Sequence, residues 1–144
     1  MSEQETRKPP TSAKQQTGKL GEDATAQYYQ SLGYKILERN YRVRHYELDL
    51  IAATETELAF VEVKTRHSRY GARSRYGRPA DAVDRQKRAR TVAAAESYLR
   101  THREKLPTGI QPRIDIAEVY MTLSADGREE VERVVVFRNA FGAR

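Results

Sequence analysis

The stretch Glu57-Leu-Ala-Phe-Val-Glu-Val-Lys-Thr-Arg66 decides how this chain is read. Its apolar residues are mostly aromatic or β-branched, which suits a buried strand over residues 58–66. Side chains alternate along a strand with period two, so Glu62 and Lys64 fall on one face. Carrying charge into an apolar strand is costly unless the charge is paired or bound. These two residues therefore need a reason.

The preceding residues supply one. Glu47-Leu-Asp-Leu-Ile-Ala52 reads as the strand before it, joined to it by the short polar link Ala53-Thr-Glu-Thr56. Such a link predicts an antiparallel hairpin. If it turns on Glu55 and Thr56, opposed residues have numbers summing to 111. Asp49 then faces Glu62, Glu47 faces Lys64 and Ile51 faces Phe60, all on one face. Leu48, Leu50, Val61 and Val63 form a wholly apolar opposite face. The charged face gathers three acids and a lysine. Close carboxylates such as Asp49 and Glu62 repel unless something neutralises them. A hard divalent cation does so, taking one or two carboxylates with waters and substrate phosphates. When bound, such a cation polarises a phosphoryl oxygen and acidifies a water, and a nearby lysine stabilises developing charge. These are the parts of metal-assisted phosphodiester hydrolysis. The other reading of the same residues is a set of cross-strand salt bridges at a wet strand end, Glu47–Lys64 included.

Working outward, Leu20, Ala24, Tyr28 and Leu32 recur every four residues and predict a helix over 19–32, stopped by Gly33. Glu22 would sit in its first turn, where the helix dipole favours a carboxylate. Residues 34–42 read as the first strand. The segment 67–78 is a basic loop carrying Arg-Tyr-Gly twice, and a second helix is expected over 79–99, opened by Pro79. Its alanines suit close packing on a sheet. Strands follow at 113–121 and 131–137 around the turn signal Asp126-Gly127, with Asp115 expected in an internal salt bridge to Arg113. The order is αβββαββ, an α/β domain with a mixed five-stranded sheet flanked by helices. Residues 1–17 are polar and aperiodic and read as a disordered tail, ahead of one domain over 18–144.

Composition narrows the function classes. The 144 residues include no cysteine, which removes disulfides and thiolate metal sites. No segment approaches the length of an apolar membrane span and no signal sequence is evident, so a cytoplasmic protein without membrane contact is expected. The net charge is +6, but between Lys64 and Arg90 ten lysines and arginines oppose two aspartates, giving +8. A basic zone of this density suits a polyanion. Arg66, Arg69, Arg73, Arg75 and Arg78 suit phosphates, and Tyr70 and Tyr76 can stack on unpaired bases. These seven are the expected nucleic-acid contacts. His45 and His67 lack the spacing of metal ligands.

Asp49, followed after twelve residues by Glu62-Val-Lys64, resembles the PD-(D/E)xK motif of restriction endonucleases and archaeal Holliday-junction resolvases. More closely, the chain resembles the YraN family of small bacterial proteins. The matching pieces are Gly18-Lys-Leu-Gly-Glu-Asp-Ala24, Gly33-Tyr-Lys-Ile-Leu-Glu-Arg-Asn-Tyr41, Glu47-Leu-Asp-Leu-Ile-Ala52, Phe60-Val-Glu-Val-Lys-Thr-Arg66, Tyr76-Gly77, Ala82-Val83, Lys87 and Arg113-Ile-Asp115. The resemblance implies a restriction-endonuclease-like core and a Mg²⁺- or Mn²⁺-dependent endonuclease. Its substrate would be structured, branched or single-stranded DNA. Asp49 and Glu62 would be metal ligands and Lys64 the catalytic lysine. Glu22 would match a helix-borne acid that completes the metal site, with Glu47 and Lys87 in support. Resolvases of similar fold commonly dimerise, so a homodimer is a further expectation. The alternative is a non-catalytic DNA-binding module on the same fold. One departure is Tyr46, where that family usually has glycine.

Overall fold

Helix α1 (Ala13–Ser31) ends because Gly33 adopts φ +94°, a conformation that favours a residue without Cβ. The Tyr34 and Gly33 amides donate back to the carbonyls of Tyr29 and Gln30, both at 3.0 Å. That pair of bonds is the Schellman ending, and it turns the chain directly into the sheet. Strands β1 (Lys35–Val43), β2 (Tyr46–Ala53) and β3 (Glu57–His67) follow, then helix α2 (Arg85–His102) with a 3₁₀ turn over Arg103–Lys105, and finally β4 (Gln111–Leu123) and β5 (Glu129–Phe137). The computed structural model describes residues 13–67 and 85–140. No helix among the described residues is long and apolar enough to cross a membrane.

The five strands lie in the order β1-β2-β3-β4-β5. All neighbours are antiparallel except β3 and β4, which run parallel from Glu57–Gln111 to His67–Met121. The sheet is therefore mixed, as expected. A parallel neighbour needs a long crossover, and α2 lies on it. The two helices cover opposite faces. Ala26, Tyr29 and Tyr34 pack with Leu50, Ala52, Ala59, Val61 and Ala117 on one face. Ala94, Ala95 and Tyr98 of α2 pack with Leu48, Ile51, Leu58 and Phe60 on the other. The alanines allow close helix–sheet approach, and Tyr98 meets Phe60 edge-on at 5.9 Å.

Three expectations are corrected here. The first concerns α1, which begins at Ala13, so residues 13–17 are helical and Glu22 stands in mid-helix. Its position therefore owes nothing to a first-turn dipole. The second concerns the buried face of α1. Leu20 and Leu32 are largely exposed, whereas Gly21, Thr25 and Tyr29 face the sheet. Gly21 decides this: a Cβ there would meet Thr65 Oγ1 at 3.0 Å and Val63 Cγ1 at 3.6 Å. The helix comes closest to the sheet at its smallest residue, and the Tyr29 hydroxyl then reaches Asp115 Oδ2 at 2.6 Å. The third concerns the apolar face of the hairpin. Leu50, Val61 and Val63 pack under α1, but Leu48 joins Ile51 and Phe60 on the α2 side. Strict alternation breaks at Asp49, so each face of the sheet carries part of the core. The expected start of the second helix at Pro79, and the loop over 68–78, lie outside the described residues.

Asp115 behaves as expected. It is fully buried and accepts from Arg113 Nε at 2.9 Å, the Tyr29 hydroxyl and the Asn139 amide at 2.9 Å. Arg113 also bridges to Glu57 at 2.8 Å.

Candidate active site

The β2–β3 turn has the expected geometry. The Thr54 amide donates to the Glu57 carbonyl at 2.9 Å, and Thr54 Oγ1 accepts from the amides of Thr56 and Glu57. The register is the expected one for Ala53–Leu58, Ala52–Ala59, Ile51–Phe60 and Leu50–Val61. There the ladder ends. The next position does not form the expected Asp49–Glu62 pair. Instead the Asp49 carboxylate crosses to β3, and its Oδ2 accepts the Val63 amide at 2.7 Å. A side chain replaces a backbone carbonyl as acceptor, and the two strands part around it. β3 continues alone beside β4, which holds Glu62 and Lys64 in place from the other side.

The gap is a small cavity of about 170 Å³ lined by His45, Glu47, Asp49 and Glu62, with Lys87, Arg90 and Thr91 from α2. Glu62 is only 5% exposed. Its Oε2 lies 2.6 Å from Lys87 Nζ and 3.7 Å from Lys64 Nζ, and its Oε1 accepts from Thr91 at 3.4 Å. Burial of a carboxylate this deep is tolerable because two ammonium groups share it. Glu47 does not pair with Lys64, the cross-strand bridge considered from sequence. It reaches Arg42 at 3.6 Å, the residue opposite it on β1.

The electrostatics single out Asp49. Burial pushes its carboxyl up to about 6, against the Val63 hydrogen bond, and the charges of Glu62, Glu22 and Glu47 push the same way. Glu22 is also raised, first by burial, opposed by its hydrogen bond to Asn40 and the charge of Arg39, and supported by Glu47 and Asp23. Burial draws the Lys87 ammonium down, but the hydrogen bond and charge of Glu62, with Asp49 behind it, outweigh that and raise it. An aspartate held near 6, first by burial and then by neighbouring acids, is one whose charged form a nearby cation would stabilise.

Asp49, Glu62, Glu47 and Lys87 thus meet in one cavity, with Lys64 beside them. Glu22 is within electrostatic reach of Asp49 but bonds Asn40 and does not line the cavity. Arg66 is turned to the buried Glu118, at 2.6 Å. Arg69, Tyr70, Arg73, Arg75, Tyr76 and Arg78 lie outside the described residues. Tyr46 is a half-buried aromatic packed against the α2-side core. His67 bonds Glu129 at 2.7 Å, whereas His45 lines the cavity, which the sequence did not suggest. Thr91 was also missed. The helical spacing of Lys87, Thr91, Ala94, Ala95 and Tyr98, one continuous stripe, is the signal that would have found it.

Among the described residues no group of three or more His, Cys, Asp or Glu side chains is placed to hold a metal ion. The donor set fits a more open site. Asp49 and Glu62 offer two hard oxygen ligands in one polar cavity, the number a Mg²⁺ ion takes when waters and phosphate oxygens complete its shell.

The chain is therefore an α/β protein whose mixed sheet opens, between two antiparallel strands, onto an acid–lysine cluster around the buried Glu62. It belongs to the uncharacterised protein family UPF0102, whose family model matches residues 21–119 and with which the YraN resemblance agrees. A UPF0102 protein of Caldanaerobacter subterraneus subsp. tengcongensis is 39% identical over 128 residues, covering 89% of this chain and 96% of its own. Another, from Moorella thermoacetica, is 36% identical over 131 residues, covering 91% and 99%. One from Bacteroides thetaiotaomicron is 42% identical over 102 residues, covering 71% and 77%.

Proposed function

We propose that this protein is a divalent-metal-dependent endonuclease with a restriction-endonuclease-like core, acting on structured or branched DNA. The observation that carries the reading is the parting of β2 and β3 at Asp49, which brings Asp49 and Glu62 into one polar cavity beside Lys64. Asp49 and Glu62 would hold a Mg²⁺ or Mn²⁺ ion. When bound, that ion supplies Lewis acidity toward a phosphoryl oxygen and a water. The chain's own residues do the rest. Val63 fixes the Asp49 carboxylate through its amide. Lys64 is held by the β3–β4 pairing with its ammonium toward Glu62, where it can stabilise charge on a phosphate or orient a water. Arg90 extends the positive lining toward solvent. Arg69, Arg73, Arg75 and Arg78 would supply sequence-independent attraction to phosphates, whereas Arg66 is engaged with Glu118. A homodimer would match the two-fold symmetry of a branched substrate.

A non-catalytic DNA-binding module is the second reading, favoured by one observation: Lys64 and Lys87 already balance Glu62. Calorimetric titration with Mn²⁺ separates the two. The nuclease reading expects one divalent-ion site in the wild-type protein and its loss in Asp49→Asn. A wild-type protein that binds no divalent ion, with undiminished and salt-sensitive DNA binding, would establish the module instead.

A further inference from the structure

Glu62 Oε2 is occupied by Lys87 Nζ at 2.6 Å with Lys64 Nζ at 3.7 Å, whereas Oε1 has only a 3.4 Å contact with the Thr91 hydroxyl, which donates to the Lys87 carbonyl at 3.0 Å. A divalent ion shared by Glu62 and Asp49 would stand within a few ångströms of the Lys87 ammonium on Oε2. Oε2 already carries two ammonium groups, and a doubly charged ion beside them adds a repulsion that neither lysine alone imposes on the other. One lysine must give way, and the two differ in how far they can. Lys64 sits mid-strand between fixed neighbours, with its side chain only 20% exposed. The Lys87 side chain comes from α2 across the cavity mouth and is 48% exposed. Its flexible stem lets the ammonium leave without repacking the core.

We infer that Lys87 is a placeholder cation: it occupies the metal position on Glu62 in the metal-free protein and vacates it when a divalent ion binds. This rests on the proposed function and adds an exchange of roles to it. In the empty site, Lys87 neutralises the buried Glu62, which would otherwise repel the half-buried Asp49 in the same cavity. In the loaded site, its ammonium stands at the mouth of the cavity, placed to take a phosphate oxygen of the substrate. Lys64 keeps one position in both states.

The consequence for metal binding is unusual in sign. Removing a residue that lines the site should strengthen binding, because Mn²⁺ then has no ammonium to displace. Mn²⁺ affinity is measured at constant pH by electron paramagnetic resonance on wild-type protein, Lys87→Met and Lys87→Arg, without DNA. Lys87→Met should bind Mn²⁺ at least about fivefold more tightly than wild type, while Lys87→Arg, which keeps the charge, should not. Wild-type binding that Lys87→Met leaves unchanged or weakens overturns this inference alone. No Mn²⁺ binding by any of the three overturns the proposed function and this inference together. A measurement on the wild type alone guards against a poorly folded variant. In lysine-resolved NMR, saturating Mg²⁺ should move the Lys87 ε-methylene signal toward that of a solvated lysine and leave Lys64 close to its place. A Lys87 signal unmoved by bound Mg²⁺ contradicts the exchange.

Discussion

Asp49 carries conflicting demands on one side chain. It is half-buried, it caps the Val63 amide, and desolvation, with three other acids behind it, raises its pKa to about 6 from the ordinary 3.8. Between about pH 4 and pH 6 the native chain therefore holds a proton that the unfolded chain has lost. Stability must fall as pH rises through that window and stay lower above it. Asp49→Asn removes the charge and keeps an oxygen for Val63. It should stabilise the metal-free protein by about 1–3 kcal/mol at pH 8, with the gain gone near pH 3.5. Thermal melts at the two pH values check this, and an equal shift at both would contradict it. Asp115 is the opposite case, a buried carboxylate with every demand met. Tyr29→Phe deletes one donor to it and should cost about 1.5–3 kcal/mol in a urea titration. A loss below about 0.5 kcal/mol would mean that this bond adds little beyond the Arg113 and Asn139 contacts. From the sequence, Asp115 was legible because Arg113 stands two residues away on the same strand face. The Tyr29 partnership was not, because it depends on which way α1 faces.

At the scale of elements, what could be read depended on where the signal lay. The β2–β3 hairpin was legible to the residue as far as Leu50–Val61, because its turn chemistry and short polar link leave little freedom. Beyond that point the expected register failed, since no pattern of apolar residues announces a side chain that replaces a backbone acceptor. The face of α1 was misread for a related reason. Leu20 and Leu32 advertise a hydrophobic stripe, while the true contact runs through Gly21 and Thr25, which hydrophobicity does not mark. The close approach at Gly21 sets how α1 lies over Val63 and Thr65, the residues flanking Lys64. Gly21→Leu should therefore lower stability by about 1–3 kcal/mol through overpacking, seen as a drop in Tm. A variant as stable as wild type would show that α1 can shift on the sheet.

Over the whole molecule, the site exists because of the topology. β3 has backbone partners on both sides up to Val61 and on β4 alone thereafter, with the Asp49 side chain taking the Val63 amide, so the cluster stands where the sheet opens. α2, on the crossover between these parallel strands, brings Lys87, Arg90 and Thr91 across the opening. The element order and the acid–lysine cluster were legible in the sequence. The contribution of α2 to Glu62 was only partly so, since a crossover helix can present any face until the sheet order is known. The most direct test of the central claim compares wild type with Glu62→Gln, an isosteric change that removes the carboxylate charge. Both are incubated with labelled flap, fork and four-way-junction DNA and Mg²⁺, with DNA binding measured alongside. Wild type should cut at least one of these substrates only when the metal is present, and Glu62→Gln should bind it equally well yet cut it at least about a hundredfold more slowly. Equal cutting by the two proteins, or none by wild type on any substrate it binds, would contradict the account.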